Sequence, residues 1–303
     1  FFVKKWGPSG APVWSAPTLD RQRGLLFYGT GENYTAPATE TSDAIFAVDI
    51  ANGKRRWVNQ FTANDTFNMA CVAGGANCPE QEGPDLDFGA PPLLTKNSQG
   101  RELLYVAQKS GAVSALDPLT GNQVWSQQFG RGGYLGGIHW GLAADTQRGL
   151  LYVPISDFPA GLDLSAEPTP GLYALSLDDG SVQWFAAKDF SAQAREALGF
   201  WPGLSAGIVA ADGIVVSGDL AGQLEVYDAV SGKILWRYKT ARSFITVNGR
   251  EAEGGSIDAH GPLLVDDLLL VSSGYAGVGM DGGNTFLVFQ LAESIDGSGS
   301  EPE

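Results

Sequence analysis

The stretch FAVDIANGKRRW, Phe46–Trp57, sets a frame that the chain repeats three more times: SALDPLTGNQVW (114–125), YALSLDDGSVQW (173–184) and EVYDAVSGKILW (225–236). Each copy has a Gly four residues before its Trp, and three copies have an Asp four residues before that Gly; the fourth has Ser176. This is the pattern of a hairpin. An apolar strand ends, Asp or Ser bonds the turn backbone, and Gly supplies the positive φ. The returning strand then carries a large aromatic that can dock on a neighbour.

Upstream of each frame lies a second apolar strand: GLLFYGT (24–30), ELLYVAQ (102–108), GLLYVPI (149–155) and GIVVSGD (213–219). A fifth, DLLLVSS (267–273), is followed by NTFLVFQL (284–291) without a Trp. Short strands repeating with one Trp per unit predict an all-β propeller of about five multistranded blades over residues 1–291. DFSAQAREALGF (189–200) predicts a short helix on a connecting loop, and residues 292–303 a flexible acidic tail.

The composition agrees. The 303 residues can bury a large core, and 41 glycines with 17% charged residues suit a turn-rich β protein. A net charge of −15, from 19 Lys+Arg against 34 Asp+Glu, argues against nucleic acid as partner. No apolar run approaches the roughly 20 residues of a membrane-spanning helix. FFVKKWGPSG, at the start, has no Met, apolar core or cleavage site, so the chain reads as a mature product or as part of a longer one. Cys71 and Cys78 are the only cysteines, and CVAGGANC fits neither a zinc half-site nor a haem-attachment motif. A local disulfide is preferred over free thiols and would imply an oxidising compartment, periplasmic or secreted. Two histidines in the chain argue against a zinc site.

The repeated frame resembles the tryptophan-docking motif of quinoprotein propellers, which bind pyrroloquinoline quinone (PQQ) and in this family have eight blades. The motif is shared with non-catalytic scaffolds that bind proteins, so alone it implies fold and not activity. The loops are more specific. VWSAPTLDRQRGLLFYGTGENYT (13–35) resembles the quinoprotein alcohol dehydrogenase segment in which Trp14 matches the floor tryptophan under the quinone. DLDFGAPP (85–92) resembles the segment that carries the catalytic aspartate, here Asp87. Lys109, in VAQKSGAVSALD (106–117), matches a basic residue that contacts the quinone oxygens. His139 and Trp140, in GGIHWGLAADTQRGLLYVP (136–154), match a cofactor-contacting Asn beside a Trp. The resemblance runs from about Trp6 to Leu291. GTGENYTAPATETSDAIFAVD (29–49), GIHWGLAAD (137–145) and SIDAHGP (256–262) look most like the polyvinyl alcohol dehydrogenase branch.

The resemblance implies a PQQ- and calcium-dependent dehydrogenase acting on an alcohol or polymeric alcohol. The electron acceptor would be a cytochrome c or another molecule, with any haem c on a separate domain or partner. Calcium wants six to eight oxygens, and either Glu32 or Asn33 supplies one at the position of the family's Asn ligand, with Asp87 as a further ligand. Gly89 stands where lanthanide-using relatives have an extra aspartate, which favours calcium. Asp87 is expected to be the base that takes the hydroxyl proton, and Asp85 to serve the loop. The family's earlier glutamate ligand and its ring of adjacent cysteines have no counterpart here. The chain is therefore expected to be the carboxyl-terminal part of a longer enzyme or a degenerate relative. A non-catalytic propeller scaffold is the alternative.

Overall fold

The computed structural model describes residues 7–159, 166–277 and 279–291, so Trp6 and the expected tail at 292–303 lie outside the described residues. The frames fold as antiparallel meanders. The first blade is β1 (Thr18–Asp20), β2 (Leu25–Gly29), β3 (Ala44–Asp49) and β4 (Arg55–Gln60). A short helix, α1 (Met69–Val72), follows, and a disulfide joins its Cys71 to Cys78. The second blade is β5 (Leu93–Lys96), β6 (Glu102–Ala107), β7 (Ala112–Leu116) and β8 (Gln123–Gln128). The third is β9 (Ala143–Asp145), β10 (Leu150–Ile155), β11 (Gly171–Ser176) and β12 (Val182–Ala187).

The expected connecting helix is α2 (Ala192–Leu198), started by the Ser191 hydroxyl, which accepts from the Ala194 amide, and ended by left-handed Gly199. The fourth blade is β13 (Val209–Ala211), β14 (Ile214–Gly218), β15 (Gln223–Asp228) and β16 (Ile234–Lys239). A hairpin, β17 (Ser243–Ile245) and β18 (Glu251–Glu253), leads to a three-stranded fifth sheet of β19 (Leu263–Val265), β20 (Leu268–Ser273) and β21 (Thr285–Gln290).

Each repeated frame closes its blade in one way. Asp49, Asp117 and Asp228 accept backbone N–H groups of their turns, and Ser176 does the same through its hydroxyl. The returning Trp pairs directly with Ala47, Ala115, Ala174 or Val226, and the register shifts by one bulge just beyond that pair. The indole then reaches the next blade. Trp57 Nε1 donates to Pro118 O (3.1 Å), Trp125 Nε1 to Leu177 O (3.3 Å) and Trp184 Nε1 to Ala229 O (3.1 Å). The acceptor is each time the residue after the frame's Asp or Ser.

The frame's Gly has a second use here. A Cβ on Gly121 would stand 2.6 Å from the Trp57 ring, so the turn glycine of one blade is also the seat for the preceding blade's indole. Trp236 departs from this pattern. It is 38% exposed and packs on Tyr238 and Phe289, because the fifth sheet has no turn frame to receive it.

The apolar cores lie between blades. Phe27, Ile45 and Trp57 of the first meet Leu104, Val106 and Leu116 of the second. Equivalent clusters join the second to the third, the third to the fourth and the fourth to the fifth. In an antiparallel blade, the start of the first strand lies at the same edge as the link from second to third. The loops before β1, β5, β9, β13 and β19 therefore gather at one end with the β2–β3 and β6–β7 links.

Candidate functional site

Lys109, in the β6–β7 link, places its ammonium between the two acids of the loop before β5. Nζ donates to Asp87 Oδ2 at 2.6 Å and to Asp85 Oδ1 at 3.0 Å. The other Asp87 oxygen accepts from the Glu32 amide at 2.9 Å. One carboxylate oxygen from each of Glu32, Asp85 and Asp87 lies within 4.8 Å of the other two, and these three side chains and Lys109 are all buried. Trp14 lies beside them, with Lys109 Nζ 5.5 Å from its ring centroid. His139 and Trp140 meet the Trp14 ring edge-on, at centroid distances of 5.7 and 5.2 Å. Gly31 and Gly89 make this approach feasible, because a Cβ on Gly31 would collide with Asp87, and one on Gly89 with Trp14 and the His139 carbonyl.

The loop is anchored from behind. Asp65 accepts from the Asp85 amide (3.2 Å) and the Leu86 amide (2.9 Å), which fixes the backbone that presents Asp87. Asp85 itself has φ +57°, and this left-handed turn swings its side chain to Lys109. The Lys109 amide donates to Asp87 O (3.0 Å), stitching the two loops together.

Three carboxylates around one ammonium leave the site short of positive charge. Burial, then the hydrogen bond and charge of Asp87, push the Glu32 carboxyl far above its ordinary value, so Glu32 holds a proton. Burial opposes ionisation of Asp87 as well. The hydrogen bond from Glu32 and the charge of Lys109 outweigh it and hold Asp87 below its ordinary value. Asp85 is raised by burial and by Asp87, with Lys109 opposing. Burial disfavours the Lys109 charge, but Asp87 and Asp85 more than restore it. Behind the site, burial and the charges of Asp65 and Asp87 push Asp43 up to about 9, which makes it a neutral neighbour for Asp65.

The structure thus brings together Trp14, Glu32, Asp87, Lys109, His139 and Trp140. Asn33 points elsewhere. Its Oδ1 accepts from the Thr39 amide (2.7 Å) and hydroxyl (3.1 Å), and its Nδ2 donates to Ser9 O (3.3 Å). Those bonds leave Glu32 as the oxygen donor of the pair that faces the cluster. Asp85, expected to serve the loop, stands in the site instead, and Asp65 does the loop's work. Asp65 lies in an unremarkable FTANDTF (61–67) stretch, and only the fold brings it to residues 85 and 86.

A buried group of hard oxygen donors suits calcium in kind, and the excess of carboxylates suits it in charge. An indole face beside a lysine suits a flat anionic ring. Among the described residues, no helix is long and apolar enough to cross a membrane.

The blades have the fold of a quinoprotein-type β-propeller. The chain matches, over 97% of its length and 50% of the other's, the quinohemoprotein alcohol dehydrogenase of Comamonas testosteroni, with a TM-score of 0.66 at 18% identity. The particular likeness is to the polyvinylalcohol dehydrogenases. That of a Pseudomonas sp. is 38% identical over 274 residues, covering 90% of this chain and 42% of the relative. That of Sphingopyxis sp. (strain 113P3) is 35% identical over 303 residues, covering 96% of this chain and 46% of the relative. The chain thus spans less than half the length of these two relatives. Residues 168–293 also match the family model described as outer membrane protein assembly factor BamB.

Proposed function

We propose that this chain carries the cofactor- and substrate-binding part of an alcohol dehydrogenase that uses PQQ and calcium. Its substrates would be secondary hydroxyls of polyvinyl alcohol or a similar compound, with electrons passing to a cytochrome c or other acceptor. The observation that supports this best is the charge deficit at Glu32, Asp85, Asp87 and Lys109, set against the Trp14 indole. Glu32 and Asp87 would hold the cation, and Trp14 would lie against the quinone, with Lys109, His139 and Trp140 at its rim. The bound quinone supplies a two-electron acceptor for hydride.

The chain's own residues do the rest. Asp87, kept ionised by Lys109 and the Glu32 amide, is the one site carboxylate whose pKa lies below its ordinary value, so it is in the proton-accepting form for a hydroxyl. Lys109 provides hydrogen bonds that strengthen as negative charge develops nearby. Trp14 and Trp140 exclude water from one side. The Cys71–Cys78 disulfide fits a periplasmic or secreted location.

Residues 168–293, which match the assembly-factor family model, contain none of these groups, and that match favours a protein-binding scaffold as the second reading. Titration with calcium and PQQ separates the two. Both ligands should raise Tm, and the loaded protein should reduce a dye with a secondary alcohol. A protein that neither ligand stabilises and that shows no turnover is the scaffold.

A further inference from the structure

Asp85 and Asp87 lie near the end of a long excursion between β4 and β5, with α1 and the Cys71–Cys78 disulfide in its middle. α1 buries none of its residues, and Met69 and Val72 are 75% and 57% exposed. Ordered backbone has an entropy cost that buried apolar surface usually offsets. Here polar straps and one covalent bond hold the segment instead, and the straps run to both flanks of the site.

Residues 65–68 are the strapped stretch. On one flank they pair with the residues just after Glu32. The Asn33 amide donates to Asp65 O (3.1 Å), the Phe67 amide to Asn33 O (3.0 Å) and Asn68 Nδ2 to Tyr34 O (2.9 Å). On the other flank, the Asp65 side chain holds the Asp85 and Leu86 amides, and Thr66 O accepts from the Gly83 amide at 2.8 Å. Gly83 permits that approach, since a Cβ there would stand 2.3 Å from Asp65 Oδ1 and 2.6 Å from Thr66 N. Asn68 also reaches the middle of the excursion. Its Nδ2 donates to Asn77 O (3.1 Å), beside Cys78, and its Oδ1 accepts from the Ala70 amide of α1 (2.9 Å).

The consequence is mechanical. The Glu32 amide bond to Asp87 joins the two flanks at a single point, about which they could pivot. Residues 65–68 supply a second attachment, and the disulfide loop keeps Asn68 in place. We infer that Asn68 is a positioning residue and the Cys71–Cys78 loop its brace: together they fix how far Glu32 stands from the Asp85–Asp87 pair. A cation shared by several oxygens is bound tightly only if those oxygens already stand at its distance, so this spacing sets the affinity. That a cation is the guest rests on the proposed function. The coupling of the flanks is a property of the chain without any ligand.

The test is hydrogen–deuterium exchange of the full chain by mass spectrometry, with calcium affinity from isothermal titration beside it. Asn68→Ser keeps a capping hydroxyl for α1 and loses both Nδ2 donors. Without ligand it should speed exchange at 32–34 and 85–86, and the calcium Kd should rise roughly 10–100-fold. Cys71→Ser with Cys78→Ser should reproduce both effects, and adding Asn68→Ser to that pair should change little further.

Exchange that stays at the wild-type rate at 32–34 and 85–86 overturns the inference, because Asn68 then caps only its own loop. So does a wild-type calcium Kd in Asn68→Ser. If the disulfide variant fails to fold, Asn68→Ser decides alone, because α1 buries nothing. If calcium does not bind the wild type, the cofactor reading fails, and exchange at 32–34 and 85–86 still decides the brace.

Discussion

Lys109 and Lys188 each bridge two buried carboxylates, and the two clusters differ in how they are completed. Lys188 Nζ lies 2.8 Å from Asp219 and 2.5 Å from Glu225. There, Arg237 Nε adds a second cation, 2.6 Å from Glu225, and Tyr227 donates to the same carboxylate. Two acids meet two bases. Burial alone would raise Glu225, but Lys188, Tyr227 and Arg237 hold it below its ordinary value, while wholly buried Asp219 stays raised. At Lys109, three acids meet one base, and Glu32 keeps a proton instead. A closed ion network fastens blades, whereas an unbalanced one has room for a cation. The charge count, more than the presence of buried charge, separates the two roles.

The largest expected effect is on rate, and it would break the comparison if absent. In protein loaded with PQQ and calcium, Asp87→Asn keeps size and an oxygen but loses the proton-accepting charge. It should lower kcat by roughly 10²–10⁴. Asp85→Asn should cost far less, because Asp85 is raised by burial and Asp87 alone is held ionised by two donors. Glu225→Gln, in the balanced network, should leave kcat unchanged and lower Tm. The assay is dye-linked oxidation of a secondary alcohol with PQQ occupancy measured separately. Equal rate losses in Asp87→Asn and Glu225→Gln would erase the distinction between the clusters.

Stability should separate the lysines next. Lys188→Met leaves buried Asp219 without its cation and Glu225 with only Arg237, and should cost roughly 3–5 kcal/mol in urea unfolding. Lys109→Met should also destabilise, but calcium should return part of the loss, because a cation can take the place of the ammonium. Calcium should return nothing to Lys188→Met beyond what it gives the wild type.

The Lys109 cluster also predicts a pH dependence. Glu32 has a raised pKa in the folded state, so without metal its contribution to stability is full below the ordinary Glu value and is lost as pH rises toward the folded value. A bound cation must displace that proton, so the stabilisation by calcium runs the other way and should grow from about pH 5 as the pH rises toward about 10. At a hundredfold excess over Kd it amounts to about 2.7 kcal/mol. Glu32→Gln should flatten the pH dependence, which calorimetry at several pH values would show.

The contrast between the clusters was only half legible in the sequence. Hairpin frames are local, so Asp49, Gly53 and Trp57 could be placed from twelve consecutive residues. Asp87, Lys109 and Trp14 were legible by resemblance of their loops. Asp85 was not, because its left-handed φ and its bond to Lys109, 24 residues away, are products of the fold. Asp65 acts across 20 and more residues from an ordinary-looking stretch. Glu32 and Asn33 are adjacent and both carry oxygens, and only the capture of Asn33 by Thr39 and Ser9 tells them apart. Gly121 could be read as a turn residue, but its contact with Trp57 needed two blades side by side.

The smallest effect applies the same idea of completion to uncharged groups. Trp57 and Trp236 occupy equivalent places in the repeated frame, each opposite the residue two before the frame's Asp. Trp57 is completed by its neighbour: Pro118 O takes its N–H, Gly121 seats its ring, and it is 9% exposed. Trp236 rests on Tyr238 and Phe289 at 38% exposure. Trp57→Phe removes a buried ring and orphans a buried carbonyl, and should cost about 2 kcal/mol. Trp236→Phe keeps an aromatic on Phe289 and gives up no equivalent inter-blade bond, so it should stay within about 0.5 kcal/mol. Chemical denaturation of the two variants beside wild type measures the difference. If Trp236→Phe costs as much as Trp57→Phe, the frame's Trp stabilises its own blade and not the joint between blades, and the seat at Gly121 would contribute little.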